Sequence, residues 1–439
     1  MSHLLDTILL GSVRDGLAAN RFGRSEYALL FSMILLAFIP AINQLIVDRL
    51  VVGSGGDILN IAGQIEWFDL FNETILAFLT VPMYFVLNKA KDDADLSHRI
   101  NSTFLIGFMI YAVVSIVIYA YASNLTAYME APEESVNYLR LETIGFVIGY
   151  VFSYIYVVFV VRAKWRLFAS LVISKIIMLA VGNSMLIPDY GVSGIAITNI
   201  SVNLVMSLIA IILLHREGLI RRWTGLDSSV MKDWVKTGLF SGGQVLVANI
   251  VYAAVVMKMV NDVSEIGNYW LANNFIWGWL LVPITALGDM VRKEYYNGYR
   301  RIWNYLGLTI LILVIWLISV PTWGFLFGNV IGMEDPSTVL GIVHLSVPFY
   351  VAYAFSVILQ SVMISVGRTD LIFYECLFVN IIYYGLVYAL YLAGVFEPSI
   401  DSIVIMFGTG LIVCFVIDLI LYWYSKKSVP QQYLVKLNE

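Results

Sequence analysis

Residues 26–73 read EYALLFSMILLAFIPAINQLIVDRLVVGSGGDILNIAGQIEWFDLFNE. Two long apolar runs flank a short Gly-rich turn. Pro40 interrupts the first run, which ends near Asp48. The second carries Glu66, Asp69 and Glu73 at i, i+3 and i+7, a spacing that puts all three on one face of a helix. A carboxylate in hydrocarbon is costly, so acids of this kind face a bundle interior or a water-filled path. Three acids on one stripe, beside Asp48 in the preceding run, do not read as lipid-facing surface.

The rest of the chain shares this character. Of its 439 residues 60% are hydrophobic and 13% charged, with mean hydropathy +0.83, against roughly 25% charged in soluble domains. A bilayer crossing takes about 20 mainly apolar residues. Twelve segments qualify, near 27–53, 60–88, 102–122, 138–162, 167–188 and 191–214, then 234–260, 264–290, 303–327, 340–366, 371–396 and 402–425. The expected fold is an all-α integral membrane protein. The two cysteines, Cys376 and Cys414, lie in apolar runs and suggest neither a disulfide framework nor a zinc site. The polar start of the chain lacks the pattern of a cleaved signal peptide and is expected on the cytosolic side as a short amphipathic helix.

Loop charge sets the orientation. With the N-terminus inside, the inner segments hold 22 of the 26 basic residues; only Arg49, Arg140, Lys175 and Lys258 fall elsewhere. Outer loops carry Glu130, Glu133, Glu134, Asp189, Glu334, Asp335, Glu397 and Asp401. This positive-inside pattern places both termini in the cytosol. The basic loop between the sixth and seventh spans, 215–233, reads as a linker between six-helix halves, 1–214 and 234–439. The halves repeat weakly. Leu79-Thr80-Val81-Pro82 answers Leu280-Leu281-Val282-Pro283, and each proline is followed nine residues later by a base, Lys91 or Arg292. Phe152-Ser153 answers Phe355-Ser356, and Lys175-Ile176-Ile177 answers Asn380-Ile381-Ile382, all at offsets near 200. A repeat of six helices keeps its topology, which implies a pseudo-two-fold along the membrane normal and a site between the halves.

Several residues have plain structural readings. Asp48 with Arg49 fits a helix-end charge pair, and Glu66 an interfacial acid. Pro40, Pro82, Pro283 and Pro348 are kinks at minimum; Pro40, two turns before Asp48, is also a candidate hinge. Asp289 sits beside Arg292 as a cytosolic cap. Tyr150, Tyr154 and Tyr353 are candidates for a cavity wall, while Glu375 and Asp418 stay unassigned. Asn124-Leu125-Thr126 matches a glycosylation acceptor on the outer side. There is no phosphate-binding G-x-x-x-x-G-K-S/T loop, metal-ligand cluster or nucleophile motif, so neither an ATPase nor another enzyme is expected. Depth counting at about 1.5 Å per residue puts Lys175 level with Glu73. Two opposite charges at one depth are expected to meet, so Lys175 should contact Glu73 or Asp69 in at least one state.

Three passages carry a family resemblance. Ile46-Val47-Asp48-Arg49-Leu50-Val51-Val52-Gly53 resembles the V-D-x-x-x-V-G stretch of the multidrug and toxic compound extrusion (MATE) family, within the superfamily that also holds lipid-linked oligosaccharide flippases. The stretch from Asn183 to Thr198 resembles the join between that family's helices five and six. Gly367-Arg368-Thr369-Asp370 resembles its turn between helices ten and eleven. The resemblance implies twelve transmembrane helices in two pseudo-symmetric six-helix halves working by alternating access. It puts Asp48 on the acid implicated in proton or cation coupling and adds Asn183 and Thr198 as site residues. Leu179 stands where the family commonly has Asn, and Lys175 sits near another such position. Gln244, Asn249 and Gln360 occupy the region where one subgroup carries acids, which shifts any coupling to the N-terminal half.

The candidate coupling residues are therefore Asp48, Glu66, Asp69, Glu73, Lys175, Asn183 and Thr198. The expected function is secondary export of amphipathic cationic compounds by a monomer in a bacterial-type cytoplasmic membrane, multi-pass and driven by protons or sodium. The partners are the lipid bilayer and a small-molecule substrate; no nucleic acid, metal or organic cofactor is expected. The alternative is a flippase for a lipid-linked oligosaccharide, which would want a basic cavity built from Lys175, Lys258 or Arg140.

Overall fold

Backbone groups in hydrocarbon must bond within their own segment, and a helix does this without a partner strand. The computed structural model describes residues 24–162, 164–219, 227–296, 302–365 and 368–428, which are helical almost throughout. The order is α1 (Arg24–Gly53), α2 (Gly56–Gly63), α3 (Ile65–Leu79), α4 (Val81–Asn88), α5 (Asp93–Tyr128), α6 (Ser135–Val161), α7 (Trp165–Tyr190) and α8 (Val192–Arg216). It continues with α9 (Ser228–Val251), α10 (Lys258–Asp262), α11 (Ile266–Phe275), α12 (Val282–Tyr296), α13 (Ile302–Phe325), α14 (Ser337–Ser365), α15 (Thr369–Leu377), α16 (Gly385–Leu392) and α17 (Ile400–Ser428). Wider π-helical turns follow α9, α11, α13 and α15, at Tyr252–Met257, Ile276–Leu280, Leu326–Ile331 and Phe378–Tyr384. The expected N-terminal amphipathic helix, the middle of the linker (220–226), Gly367, and the bases Arg14, Arg21, Arg221, Arg222, Arg300, Arg301 and Lys436 lie outside the described residues.

Among the described residues ten helices are long and apolar enough to cross a membrane, or eleven with the bent pair Ile266–Leu280 and Val282–Arg292, angled by 48°. The chain is a multi-pass membrane protein. The expected count of twelve falls short at the second segment, 60–88. That stretch is three consecutive short helices, α2, α3 and α4, interrupted at Gln64 and Thr80. Glu66, Asp69 and Glu73 lower its hydropathy, and the breaks divide what remains.

The breaks have a sequence cause. Proline has no N–H to give the preceding turn and crowds it. Pro82 follows the break at Thr80, and Pro283 follows the bend at Leu281. Each break frees a carbonyl, and an indole satisfies it. Trp234 Nε1 donates to Leu79 O at 2.9 Å, and Trp316 Nε1 donates to Leu280 O at 2.9 Å. A buried carbonyl without a donor is a costly defect, so the two tryptophans make the two breaks tolerable. The Leu79/Leu280 equivalence seen in the sequence thus has a physical counterpart.

α9 packs along α3 and α4, α12 and the Ile276–Leu280 turn pack on α1, and α2 lies against α11. Glycine permits that last crossing: a Cβ at Gly63 would sit 2.9 Å from Ile266 O, and one at Gly267 would sit 2.7 Å from Leu59 Cγ. Gln64 Nε2 bonds Asn261 Oδ1 at 2.9 Å in the same contact. One apolar core joins elements from both ends of the chain, including Val47, Trp67, Phe275 and Tyr350. A second gathers Met83, Tyr111, Tyr150, Tyr154 and Trp234. At the start of α9, the Asp227 side chain accepts from the Ser229 and Val230 amides. The Ser229 hydroxyl, these amides and nearby His98 hold its carboxyl below the ordinary value.

Candidate functional site

A cavity of about 870 Å³ lies between α1 and α3 on one side and α9 and α11 on the other, with walls completed by α7, α8, α14, α17 and the Phe378–Tyr384 turn. Its charged wall residues are Glu66, Asp69 and Glu73, and no Lys, Arg or His lines it among the described residues. The α3 spacing explains this: three acids on one stripe enter the same space. Asp69 and Glu73 are exposed to it and Glu66 is half-buried. Eight asparagines also line the wall, Asn72, Asn183, Asn249 and Asn273 among them. A primary amide both donates and accepts, so this wall is polar without adding charge. Tyr252, Trp270, Trp277, Tyr353, Tyr384 and Phe407 supply aromatic surface.

Three of the acids are held by amides across the cavity. Asn249 Nδ2 donates to Glu73 Oε2 at 3.1 Å, and also to Thr74 Oγ1 at 3.1 Å and Leu70 O at 3.2 Å. Asn273 Nδ2 donates to Glu66 Oε1, which Tyr252 Oη also approaches at 3.3 Å. Asp48 lies just behind the wall, 5% exposed. Its Oδ1 accepts from Gln44 Nε2 at 2.9 Å and from Asn274 Nδ2 at 3.0 Å. A buried anion without donors or a counter-ion is strongly disfavoured, and these two donors meet part of that need. Asp69 accepts no hydrogen bond from the described residues and is the carboxylate most open to a ligand.

The structure therefore brings Glu66, Asp69, Glu73 and Asn183 into the lining of one cavity and sets Asp48 against it. Asn183 is 2% exposed and its Oδ1 has no hydrogen-bond partner. Thr198 does not line the cavity. It packs on α7, where a Cβ at Gly182 would meet Thr198 Cγ2 at 2.6 Å. α1 runs unbroken through Pro40.

In this conformation Lys175 makes no contact with Glu73 or Asp69. Its Nζ lies over the Phe152 ring of α6, 4.7 Å from the centroid, and Glu73 is bonded to Asn249 instead. Depth along a helix axis says nothing about direction around it, and Lys175 turns toward α6 rather than toward the cavity. Of the suggested wall tyrosines, Tyr353 lines the cavity, whereas Tyr150 and Tyr154 are packed in the second core. Asp289 pairs with Arg292 at 3.0 Å.

Sequence reasoning missed Glu142 of α6. It is fully buried, and Asn199, a wall residue, donates to both its carboxylate oxygens at 2.9 and 3.2 Å. An acid four residues inside a predicted span was the available signal. It also passed over Asn273-Asn274, which stand in α11 where Asn72-Glu73 stand in α3. Asp418, fully buried, accepts from Gln360 Nε2 at 2.9 Å and from the Ser356 hydroxyl, away from the cavity wall. No group of three or more His, Cys, Asp or Glu side chains is placed to hold a metal ion among the described residues.

No family model matches the sequence, and no curated protein matches it. Solved structures do match its shape. A multidrug resistance MATE family transporter of the MOP superfamily in an inward-facing conformation aligns with TM-score 0.72 at 15% identity, covering 92% of this chain and 99% of that one. A MOP superfamily transporter from Pyrococcus furiosus, whose reverse-polarity binding pocket suggests a different function, aligns with TM-score 0.66 at 15% identity over 91% and 95%. The Vibrio cholerae MATE transporter VcmN in its bent form gives TM-score 0.64 at 16% identity over 93% and 98%. The chain has the fold of MATE transporters of the MOP superfamily.

Proposed function

We propose that this chain is a secondary transporter that exports amphipathic cations by alternating access, coupled to inward movement of protons or sodium. The carrying observation is the polarity of the cavity: three carboxylates, asparagines and aromatic rings, with no cationic side chain among the described wall residues. An organic cation gains from carboxylates and from the faces of Trp and Tyr in a desolvated space. In this reading Asp48, Glu66, Asp69 and Glu73 exchange the coupling ion for the substrate, Asn183 serves the same wall, and Pro40 lets α1 bend. Lys175 and Thr198 keep a coupling role only if another conformation turns them inward. The moving bodies are the halves 1–214 and 234–439, joined by the linker 215–233, in a monomer of a bacterial-type cytoplasmic membrane with both termini cytosolic. The positive-inside distribution supports that orientation.

A flippase for a lipid-linked oligosaccharide fits this wall less well. A pyrophosphate needs cationic donors, and the candidates are engaged elsewhere. Lys258 pairs with Glu130 at 2.7 Å and with Asp262, Arg140 lies over the Tyr119 ring at 5.5 Å, and Lys175 lies over Phe152. The test is proteoliposome transport of a fluorescent lipophilic cation under imposed proton or sodium gradients. Uphill movement that collapses with the gradient is expected. Movement of a lipid-linked anion with none of the cation would overturn the reading.

A further inference from the structure

The internal repeat and the hydrogen bonds across the cavity share one register. The 201-residue step that carries Pro82 onto Pro283 also carries Asn60, Ile65, Leu70, Asn72, Ile75 and Leu79 onto identical residues. It carries the start of α3 onto the start of α11 and the break at Thr80 onto the bend at Leu281. The same step carries Asp48 onto Asn249 and Glu73 onto Asn274. These four residues are bonded in pairs: Asn274 holds Asp48 at 3.0 Å, and Asn249 holds Glu73 at 3.1 Å. Rotation by the pseudo-two-fold turns one pair into the other with acid and amide exchanged. The third cross-cavity bond, from Asn273 to Glu66, has no such mate, because Gly267 stands at the position equivalent to Glu66.

We infer that Asn249 and Asn274 are latch residues. Each holds, across the boundary between the halves, the carboxylate whose equivalent in the repeat is the other latch, and both latches must part when the halves move. Symmetry makes the arrangement consistent: a two-fold axis between the halves crosses any off-axis contact twice. Chemistry makes it selective. Carboxylates in one half and amides in the other give two donor–acceptor pairs, whereas acids at all four positions would give two repulsive ones.

The latches are unequal. Asp48 is buried and has a second donor in Gln44, while Glu73 faces the cavity. A cation arriving in the cavity competes directly for Glu73 and reaches Asp48 only after the wall shifts. The Glu73–Asn249 pair is therefore the first to release and the Asp48–Asn274 pair the second.

This inference rests on the reading of two halves that move, and its test separates it from the substrate claim. Spin labels go on Glu133→Cys and Glu334→Cys, both exposed, with Cys376 and Cys414 changed to serine, and distance distributions are measured in lipid nanodiscs. Asn274→Leu and Asn249→Leu should each move the ratio of the two conformations by about tenfold, the effect of losing one hydrogen bond to a charged group. The exchange Asp48→Asn with Asn274→Asp restores a carboxylate–amide pair and should return the ratio to within about twofold of the original. Where a Leu variant does not yield folded protein, Asn→Ser at the same position shortens the donor with less crowding. Unchanged distances in both single variants, or a shift that the exchange fails to reverse, would overturn the latch. Absence of cation transport by the wild-type protein, with distances that follow this pattern, leaves the latch standing and removes the substrate reading.

Discussion

The helix Ile65–Leu79 and the stretch Ile266–Leu280 begin at equivalent residues, have equal lengths and break at equivalent points, yet the first carries three carboxylates and the second none. Their scaffold duties are alike. Each ends before a Val-Pro step, and each offers its last carbonyl to a tryptophan at 2.9 Å. The difference lies in what they present to the cavity, acids from α3 and amides from α11. Charge lies on one of two segments whose ends correspond. The other side differs in backbone: all four π-helical turns among the described residues lie after Val251. Such turns recur at functional sites, and the first begins three residues past Asn249 while the second begins two past Asn274. The segment around α3 supplies charge, and the segments after Val251 supply π-helical turns beside the amides that meet it.

The sharpest way to break this comparison is to edit equivalent positions in opposite senses. Asp48→Asn should abolish gradient-driven cation efflux in proteoliposomes while the protein remains inserted and monodisperse. Asn249→Asp should retain coupling and lose stability instead, because a second carboxylate then faces Glu73. Like charges at that contact repel, so Asn249→Asp should lower the thermal unfolding midpoint relative to wild type. Equal transport losses in the two variants would show that the halves are not chemically distinct.

A smaller effect sharpens the scaffold side. Trp234→Phe and Trp316→Phe each leave a buried carbonyl at a helix break without its donor. Each should cost about 1–3 kcal/mol of unfolding free energy, and the two costs should match within the scatter of the measurement. A large inequality would mean that the breaks are alike in sequence but not in load.

The smallest effect lies outside the repeat. Asp227 caps α9, and Asp227→Ala should cost about 1 kcal/mol. Its carboxyl is held below the ordinary value, so its contribution is present above the unfolded value near 4. The contribution should fade as pH drops through the lower folded value, and thermal shifts of wild type and variant should converge there.

Much of this was legible in the sequence for definable reasons. Hydrocarbon imposes length and apolarity on a crossing segment, so most spans could be counted, and the i, i+3, i+7 acids fixed the cavity face of α3. The repeat was visible in Leu79-Thr80-Val81-Pro82 and Leu280-Leu281-Val282-Pro283 because prolines mark the backbone itself. The broken segment 60–88 was read as one helix because a break of one or two residues barely changes average hydropathy. Lys175 lies over Phe152 in this conformation, a direction that counting residues does not give, because it yields depth but not azimuth. Asn249 and Asn274 were unreadable as partners of acids because an asparagine in a helix has many duties, and only the 201-residue register singles these two out. Thr198 was carried by resemblance, and the structure seats it in a close contact with Gly182 of α7.

The central claim is that this cavity is built for a positive charge. Equilibrium binding of a lipophilic cation and of a neutral analogue of the same shape, each titrated into purified wild-type protein and the Glu66→Gln, Asp69→Asn, Glu73→Gln triple variant, tests it most directly. The account predicts that wild type prefers the cation by tenfold or more, about 1.4 kcal/mol, and that the triple variant binds the two alike. Equal binding of both compounds by wild type, or a preference that survives removal of all three carboxylates, would contradict it.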